Sequence, residues 1–147
     1  DFKYDVKQDR VVFLIKNRDT HKIVGAVGRA LNKNEFPKWF MYGNKDVPFR
    51  CGVCDDAVIV EDCPSACAVS NVLTGIAIMG TKLKRTHMEH IKPYKNLYVC
   101  LDRDATTKAY DMAKDLRSSG FENVIVKPLE DDLKYYDTEQ IRSIFYE

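Results

Sequence analysis

The sequence predicts an α/β fold, in which helices flank a mostly parallel β-sheet. From residue 57 onward, short β-branched and apolar runs alternate with segments whose apolar residues recur at helical spacing. This alternation is typical of parallel strands joined by right-handed helical crossovers. Before residue 57, two apolar runs flank a polar turn, which predicts an antiparallel hairpin. Since 147 residues suffice for one hydrophobic core, we expect a domain at 57–147 with a small antiparallel β extension at 1–56.

The overall composition limits what the chain can bind. It holds 23 Lys and Arg against 22 Asp and Glu, a net charge of +1, which argues against non-specific coating of nucleic acid but permits a local basic patch. No apolar run approaches the roughly 20 residues that span a membrane, and no signal-peptide pattern opens the chain. We therefore expect a cytoplasmic protein with no membrane partner.

The five cysteines favour free thiols over a disulfide framework, since the count is odd. A zinc site is the alternative, with Cys51, Cys54, Cys63 and Cys67 as its ligands. Zinc ribbons usually take their ligands from two separate knuckles, whereas Cys63 and Cys67 flank a predicted strand-to-helix turn. We therefore predict free, mostly buried thiols and no zinc.

The first two strands are expected at 11–15 and 23–27, on either side of the polar turn 17–22. The stretch 32–56 that follows is polar and aromatic. It contains four residues that interrupt any long element, Pro37, Gly43, Pro48 and Gly52.

The α/β part begins with the β-branched run Val58 to Val60, and Pro64 suits the first turn of the next helix. Further along, Thr86 and Glu89 match a capping box, in which a hydroxyl and a carboxylate satisfy free amides at a helix start. The predicted order is strand 57–60, helix 64–73, strand 76–78, helix 87–92, strand 97–101, helix 105–119, strand 123–127 and helix 139–146.

The last two helices have clear start, stop and packing signals. Gly120 is well placed to end helix 105–119, and Thr138 can cap helix 139–146. Each helix has one apolar stripe that should face the core. The stripes are Ala109, Met112, Ala113 and Leu116 in the first, and Ile141, Ile144 and Phe145 in the second.

Acidic residues follow three of the predicted strands. In a sheet of this kind, ligands bind outside the carboxyl ends of the strands, so we expect these acids to gather at one edge. Carboxylates packed together repel and need a cation, and hard oxygen ligands suit Mg²⁺ or Mn²⁺. The acids are Glu61 after the first strand, Asp102 and Asp104 after the third, and Glu130, Asp131 and Asp132 after the fourth.

Each acid also has a purely structural interpretation. Glu61 and Asp62 could cap or solvate their turn, and Asp104 could cap helix 105–119. The acids near residue 130 could form a solvated turn. The coincidence of acids at three strand ends favours a metal site over these alternatives.

The segment GTKLKRTH, residues 80–87, adds positive charge to the same edge. Gly80 lets the backbone approach a ligand, and the neighbouring bases can contact phosphates. The alternative for each base is a solvated face. The candidate phosphate contacts are Lys82, Lys84 and Arg85 in this segment, and Arg29 and Lys38 upstream.

Three of these segments together, AVIVED, GIAIMGTKL and LYVCLDRDATTKA, resemble the toprim domain shared by DnaG-type primases, topoisomerases and some nucleases. The toprim signature is a Glu at the end of one strand and Asp-x-Asp at the end of another, here Glu61, Asp102 and Asp104. The fold that this resemblance implies is a Rossmann-like parallel sheet flanked by helices.

The chain is more similar to primases than to other toprim proteins. HKIVGAVGRALN and FPKWFMYGN resemble the primase stretch that leads into toprim, and MGTKLKRTHMEHI is similar to the primase G-T-x-L-T-x-x-H segment. These matches cover about residues 10 to 145. The compact form resembles a phage protein, which would act in the host cytoplasm.

The resemblance implies a primase that uses Mg²⁺ or Mn²⁺ to join ribonucleoside triphosphates into short RNA primers on single-stranded DNA during DNA replication. It implies that Glu61, Asp102 and Asp104 are catalytic and bind metal, and that Asp131 or Asp132 completes the metal ligands.

By the same analogy, the bases that would contact the nucleotide or the template-primer backbone are Arg29, Lys38 and Lys82.

The chain departs from the primase pattern in ways that affect partners. Glu61-Asp62 stands where primases usually have Glu-Gly, and LEDDLK at 129–134 stands where they have K-D-P-x-D. By comparison with primases, we expect no zinc ribbon and only part of the usual polymerase subdomain among these residues. We therefore expect a replicative helicase or a separate zinc-binding module as a partner.

Two other functions fit the same acids. A toprim-family nuclease would use them to cleave phosphodiester bonds, and a non-catalytic module would dock onto other replication proteins. The segment from Arg29 to Lys38 favours a primase, because nucleases of this class do not need it.

Overall fold

A computed structural model describes residues 2–147. These form two compact units, residues 2–49 and residues 50–147, where the sequence predicts a boundary at 56/57. No helix in the described part of the chain is both long enough and apolar enough to cross a membrane.

The first unit is a four-stranded antiparallel sheet with strands in chain order. The predicted hairpin is confirmed as its two central strands, which pair with a register shift between Ile15 and Lys16. In the turn that joins them, the side chain of Asn17 accepts hydrogen bonds from the amides of Asp19 and Thr20. The strands are β1 Phe2–Asp5, β2 Arg10–Lys16, β3 Ile23–Ala30 and β4 Trp39–Gly43.

The two outer strands of this sheet were not predicted. The sequence indicated that Pro37 and Gly43 exclude a long element, yet a five-residue strand fits between them. Gly43 ends that strand with φ +71°, in the left-handed region that glycine tolerates.

The second unit contains a five-stranded sheet in the order β5-β7-β6-β8-β9. The pairs β6–β7, β6–β8 and β8–β9 are parallel, so the α/β prediction is confirmed. Each predicted strand is present with ends shifted by one or two residues, and only β5 was missed. The strands are β5 Phe49–Cys51, β6 Asp56–Val60, β7 Thr74–Ala77, β8 Asn96–Val99 and β9 Val124–Val126.

Four helices accompany this sheet, at positions close to those predicted. The first ends at Val69 rather than near residue 73, because the chain turns at Ser70, whose amide donates to the Cys67 carbonyl. The helices are α1 Cys63–Val69, α2 Met88–Ile91, α3 Thr106–Ser118 and α4 Thr138–Tyr146.

Two predicted helix caps are wrong. No capping box forms at Thr86, because a 3-10 turn occupies that position and α2 begins only at Met88. The carboxylate of Glu89 instead accepts a hydrogen bond from Lys92. At α4 the cap is one residue earlier than predicted, where Asp137 and Gln140 form a reciprocal capping box.

Helices lie on both faces of the sheet. Ala57 and Ile59 of β6 belong to the core that α3 covers with its predicted stripe, all four members of which are buried. On the other face, Tyr98 of β8 meets Phe145 of α4 with ring centroids 5.2 Å apart. In α4, Ile141 and Phe145 are buried as predicted, whereas Ile144 is only half-buried.

Helix α1 packs directly against β7. A β-carbon added at Gly75 would collide with the backbone of Ala66, so only glycine allows this approach. The contact fixes α1, and with it the turn between Val60 and Cys63, relative to the sheet.

Candidate functional site

Three acidic side chains lie beyond the carboxyl ends of three adjacent strands. Glu61 directly follows β6, Asp102 follows β8, and Asp132 lies in the segment after β9. Because β6, β8 and β9 are parallel neighbours, the segments that leave them converge at one edge of the sheet. We call Glu61, Asp102, Asp104 and Asp132 the acidic edge.

Glu61 connects two of these strand ends. Its carboxylate accepts a hydrogen bond from the amide of Asp102 at 3.1 Å, although the two residues are 41 positions apart. The capping of α1 is done by the next residue, Asp62, whose carboxylate accepts from the amide of Ser65 at 3.0 Å. The capping interpretation therefore holds for Asp62, whereas the carboxylate of Glu61 contacts the end of β8 instead.

The pKa values of Glu61 and Asp102 are both raised at the acidic edge. Burial raises the pKa of the Glu61 carboxyl from 4.5 to about 7, and the carboxylates of Asp102 and Asp104 add to the rise. Burial also raises the pKa of Asp102, together with the charges of Asp132 and Asp62. The charged forms of these two carboxyls are therefore both disfavoured at this edge.

Asp104 does not cap the start of α3. It is exposed and lies in the 3-10 turn Arg103–Ala105. The residue at the cap position of α3 is Ala105, which offers no side-chain hydrogen bond. The interpretation of Asp104 as a helix cap is therefore wrong, and its carboxylate is free to contribute charge to the acidic edge.

The two acids after β9 differ in their surroundings. Asp132 is half-buried, raises the pKa of Asp102, and lies 3.7 Å from the Lys134 ammonium. Asp131 is exposed, and its carboxylate accepts a hydrogen bond from the amide of Asp132 at 2.9 Å. Of the two, Asp132 is the one whose charge reaches Asp102.

The chemistry of the acidic edge fits a divalent cation held by oxygen ligands. Between residues 2 and 147, no three His, Cys, Asp or Glu side chains form a ready-made metal site, so the acids would have to draw together around an ion. Burial, together with neighbouring carboxylates, raises the pKa of Glu61 and of Asp102, and a cation would remove the repulsion between these charges.

The loop after β7 lies against the acidic edge. The amide of Gly80 donates to the backbone carbonyl of Glu61 at 3.2 Å, which ties the loop to the end of β6. A β-carbon at Gly80 would meet no atom within 4 Å, so space is open beside it. Lys84 and Arg85 are exposed further along the loop.

Lys82 lines a cavity of about 430 Å³ between this loop and α3. Sequence reasoning missed Lys108, a second base in the same cavity, because the LYVCLDRDATTKA segment drew attention to its acids and Lys108 lies inside the helix that follows them. Leu83, Met88 and Met112 supply the apolar part of the lining.

Another cavity, of about 570 Å³, lies beside the acids. Arg103, Glu130, Asp131 and Tyr136 line it together with Leu129. Sequence reasoning also missed Arg103, although its position between Asp102 and Asp104 was a signal that it accompanies them.

The remaining predicted phosphate contacts, Arg29 and Lys38, belong to the first unit. The guanidinium of Arg29 lies over the ring of Trp39, 5.0 Å from its centroid. Lys38 is exposed immediately before β4.

All five cysteines are free, as predicted, but only Cys63 and Cys100 are buried. A hydrogen bond from the Cys67 thiol lowers the pKa of Cys51 from 9.0 to about 6, and the Ser70 hydroxyl contributes to the same effect. Burial raises the pKa of Cys63 and of Cys100. The absence of zinc from these thiols stays a prediction.

No protein-family model and no curated protein matches the chain. Among solved structures, it is similar to the crystal structure of the zinc binding and RNA polymerase domains of the Aquifex aeolicus primase, with a TM-score of 0.66 and 22% sequence identity. The match covers 92% of this chain but only 37% of that one. The likeness shows a primase-like α/β fold for this chain.

Proposed function

We propose that this protein is the toprim catalytic part of a DNA primase, which uses Mg²⁺ or Mn²⁺ to join ribonucleoside triphosphates on a single-stranded DNA template. The observation that carries the proposal is the acidic edge. It draws carboxylates from three adjacent strand ends, and burial together with the charges of Asp102 and Asp104 raises the pKa of Glu61 there to about 7. The primase-like fold supports the same activity.

In this proposal, Asp102, Asp104 and Asp132 hold the divalent cation, with Asp131 close enough along the chain to assist. When bound, the cation stabilises negative charge on the attacking and leaving oxygens of the transferred phosphoryl group. Glu61 receives the proton of the attacking 3′-hydroxyl. A carboxyl whose pKa lies near 7 is suited to exchanging a proton at neutral pH.

The bases act on phosphate charge in this proposal. Lys82 lies on the loop that is tied to Glu61, and its ammonium can neutralise a triphosphate placed beside the acids. Arg103 lines the cavity that also contains Glu130 and Asp131, and its guanidinium can neutralise phosphates of the template-primer backbone. The proposal also lets Lys84 and Arg85 of the second unit, and Arg29 and Lys38 of the first, each contact phosphates of the nucleic acid.

One incubation tests the proposal against its two alternatives. The protein is mixed with single-stranded DNA, labelled ribonucleoside triphosphates and Mg²⁺, alone and with a helicase or zinc-binding module from the same replication system. Short labelled RNA that depends on the DNA supports the primase. Cut DNA indicates a nuclease instead. If neither RNA nor cut DNA forms under any condition, the result favours a non-catalytic docking module.

Two variants show whether the acidic edge produces the activity. Asp102→Asn removes one charge from the site and should abolish primer synthesis. Asp55→Asn is the matched control, because Asp55 is exposed at the opposite edge of the sheet, just before β6 begins. Equal loss of activity in both variants would refute the assignment.

A further inference from the structure

One face of the antiparallel sheet in the first unit carries a continuous row of aromatic side chains. Residues that pair across neighbouring strands point to the same face, and so do alternate residues along a strand. The register aligns Phe2 with Phe13, and it aligns Tyr4 with Val11, which in turn aligns with Arg29 and Trp39. We call the face formed by Phe2, Tyr4, Phe13, Arg29 and Trp39 the aromatic face.

Three of the rings on this face contact one another, and the inner part of the face is packed, because Phe13 also lies edge-on to the buried Phe49 with centroids 5.6 Å apart. The centroids of Phe2 and Phe13 are 6.1 Å apart, and those of Phe13 and Trp39 are 6.3 Å apart. The Arg29 guanidinium covers part of the Trp39 ring at 5.0 Å. The row therefore ends in a stacked cation, an arrangement that suits both bases and phosphates.

The outer part of the aromatic face is open to solvent and held in place. Phe2 is 68% exposed and Tyr4 is 55% exposed, which is a large apolar area to leave in water. The Tyr4 hydroxyl donates to the Asp9 carboxylate at 2.7 Å, so its ring is oriented before any ligand arrives. An ordered, exposed ring is a good stacking platform because little side-chain entropy is lost on binding.

The opposite face of the same sheet contains a buried charge. Arg10 lies there fully buried, donates to the side chain of Gln8 and to the carbonyl of Gly28, and lies over the ring of Phe40. Its charge is used inside the unit, and the two half-buried rings of this face, Phe40 and Tyr42, pack edge-to-face on each other with centroids 4.9 Å apart.

The charge of the chain is unevenly distributed and favours a polyanion at the first unit. Residues 1–49 contain ten Lys and Arg against six Asp and Glu, a net charge of +4. Residues 50–147 contain 13 against 16, a net charge of −3. A strand of nucleic acid is thus attracted to the unit that carries the aromatic face.

We propose that the aromatic face binds single-stranded nucleic acid, with bases stacked on Phe2, Tyr4 and Trp39 and with Arg29 on the backbone. Stacking accepts any base, because every base has a π-face, so binding is independent of sequence. The proposal deepens the proposed function by placing the template strand on this face, and its ligand is the template only if that function holds. The binding itself needs neither the acidic edge nor a divalent cation.

Because Trp39 is the one tryptophan of the chain, its fluorescence reports binding at the aromatic face. Titration with a short oligothymidylate in EDTA should quench Trp39 fluorescence, and the affinity should fall as salt rises because phosphate contacts release counterions. An oligothymidylate that leaves the fluorescence unchanged, and shows no binding by anisotropy of a labelled strand, would overturn the proposal.

Three variants locate the binding surface. Phe2→Leu and Tyr4→Leu keep an apolar side chain but remove the ring, and each should weaken binding at least about fivefold. Val6→Leu is the control, since Val6 is a 79% exposed aliphatic residue outside the strands and should bind as the wild type does. Wild-type affinity in both ring variants, or an equal loss in the Val6 variant, would contradict the proposal.

Failure of this inference can be distinguished from failure of the proposed function. Asp102→Asn should make no primers yet quench Trp39 as the wild type does. If the wild type makes primers but binds no strand at the aromatic face, the proposed function stands and this inference is overturned. If the wild type binds a strand at the aromatic face but makes no primers, this inference stands and the proposed function fails. Sedimentation that shows a dimer, with no strand bound, would assign the face to self-association.

Discussion

Replacing Glu61 with Gln should stabilise the metal-free protein, and only at neutral and alkaline pH. Folding raises the pKa of this carboxyl from 4.5 to about 7. Between those values, the folded state keeps a proton that the unfolded state has lost, so the free energy of unfolding falls as pH rises. Above about pH 7 the full destabilisation by Glu61 is present, and below about pH 4 it is absent. Glutamine removes it while keeping an oxygen that can accept from the Asp102 amide.

The expected magnitude follows from the difference between the two pKa values. A difference from 4.5 to about 7 corresponds to at most about 3 kcal/mol. The carboxyl is partly exposed, and solvent screening reduces this to about 1 kcal/mol. We therefore expect Glu61→Gln to match the wild type near pH 4 and to exceed it by about 1 kcal/mol near pH 8.

Urea unfolding in EDTA across this pH range measures the difference. In residues 2–147, all four α-helices lie in the second unit, so circular dichroism at 222 nm follows that unit, whereas Trp39 fluorescence follows the first and should not change. Glu122→Gln is the matched control, because Glu122 is an exposed carboxylate ahead of β9, at the amino ends of the strands. A Glu61→Gln protein that is less stable near pH 8, or equally shifted at every pH, would refute the reasoning.

Three further predictions concern other parts of the chain. Lys82→Ala should weaken binding of a ribonucleoside triphosphate about tenfold without changing the melting temperature, and unchanged affinity by calorimetry would remove Lys82 from the site. Gly75→Ala should destabilise the second unit by about 1–3 kcal/mol in urea, since a β-carbon there collides with Ala66; wild-type stability would contradict the close contact. Cys51, with a pKa of about 6, should be the cysteine that iodoacetamide modifies fastest at pH 7, and Cys67→Ala should slow this reaction, as mass spectrometry can show. No change in rate would mean that the Cys67 thiol does not lower the pKa of Cys51.

The order of strands and helices in the second unit was predictable because each element has a local signal. The β-branched run of β6 predicts a strand, and the helical spacing of the apolar stripe of α3 predicts a helix. Gly120, at φ +102°, ends α3 as expected. Caps were less predictable, since Thr138 and Asp137 are both good cap residues and the difference of one position depends on where the chain enters the helix.

The candidate site was predictable in outline but not in detail. Acids at the ends of parallel strands must converge, which the sequence alone indicated for Glu61 and Asp102. The choice between Asp131 and Asp132 depends on the path of the chain after β9, which no local pattern encodes. The aromatic face was missed because β1 and β4 were not recognised as strands, so the residues that align across them had no predicted register.

The central claim is that the acidic edge exists to hold a divalent cation. A cation that binds only the folded protein stabilises it by about 2.7 kcal/mol at a hundredfold excess over its Kd, which for a chain of this size corresponds to about 5–10 °C.

The most direct test is a thermal melt of the wild type, Glu61→Gln and Asp102→Asn, followed at 222 nm with increasing Mg²⁺. The wild type should melt at progressively higher temperature, and Asp102→Asn should lose most of that rise while melting no lower than the wild type in EDTA. If all three proteins melt alike at every Mg²⁺ concentration, the acidic edge holds no cation and the proposed function fails with it.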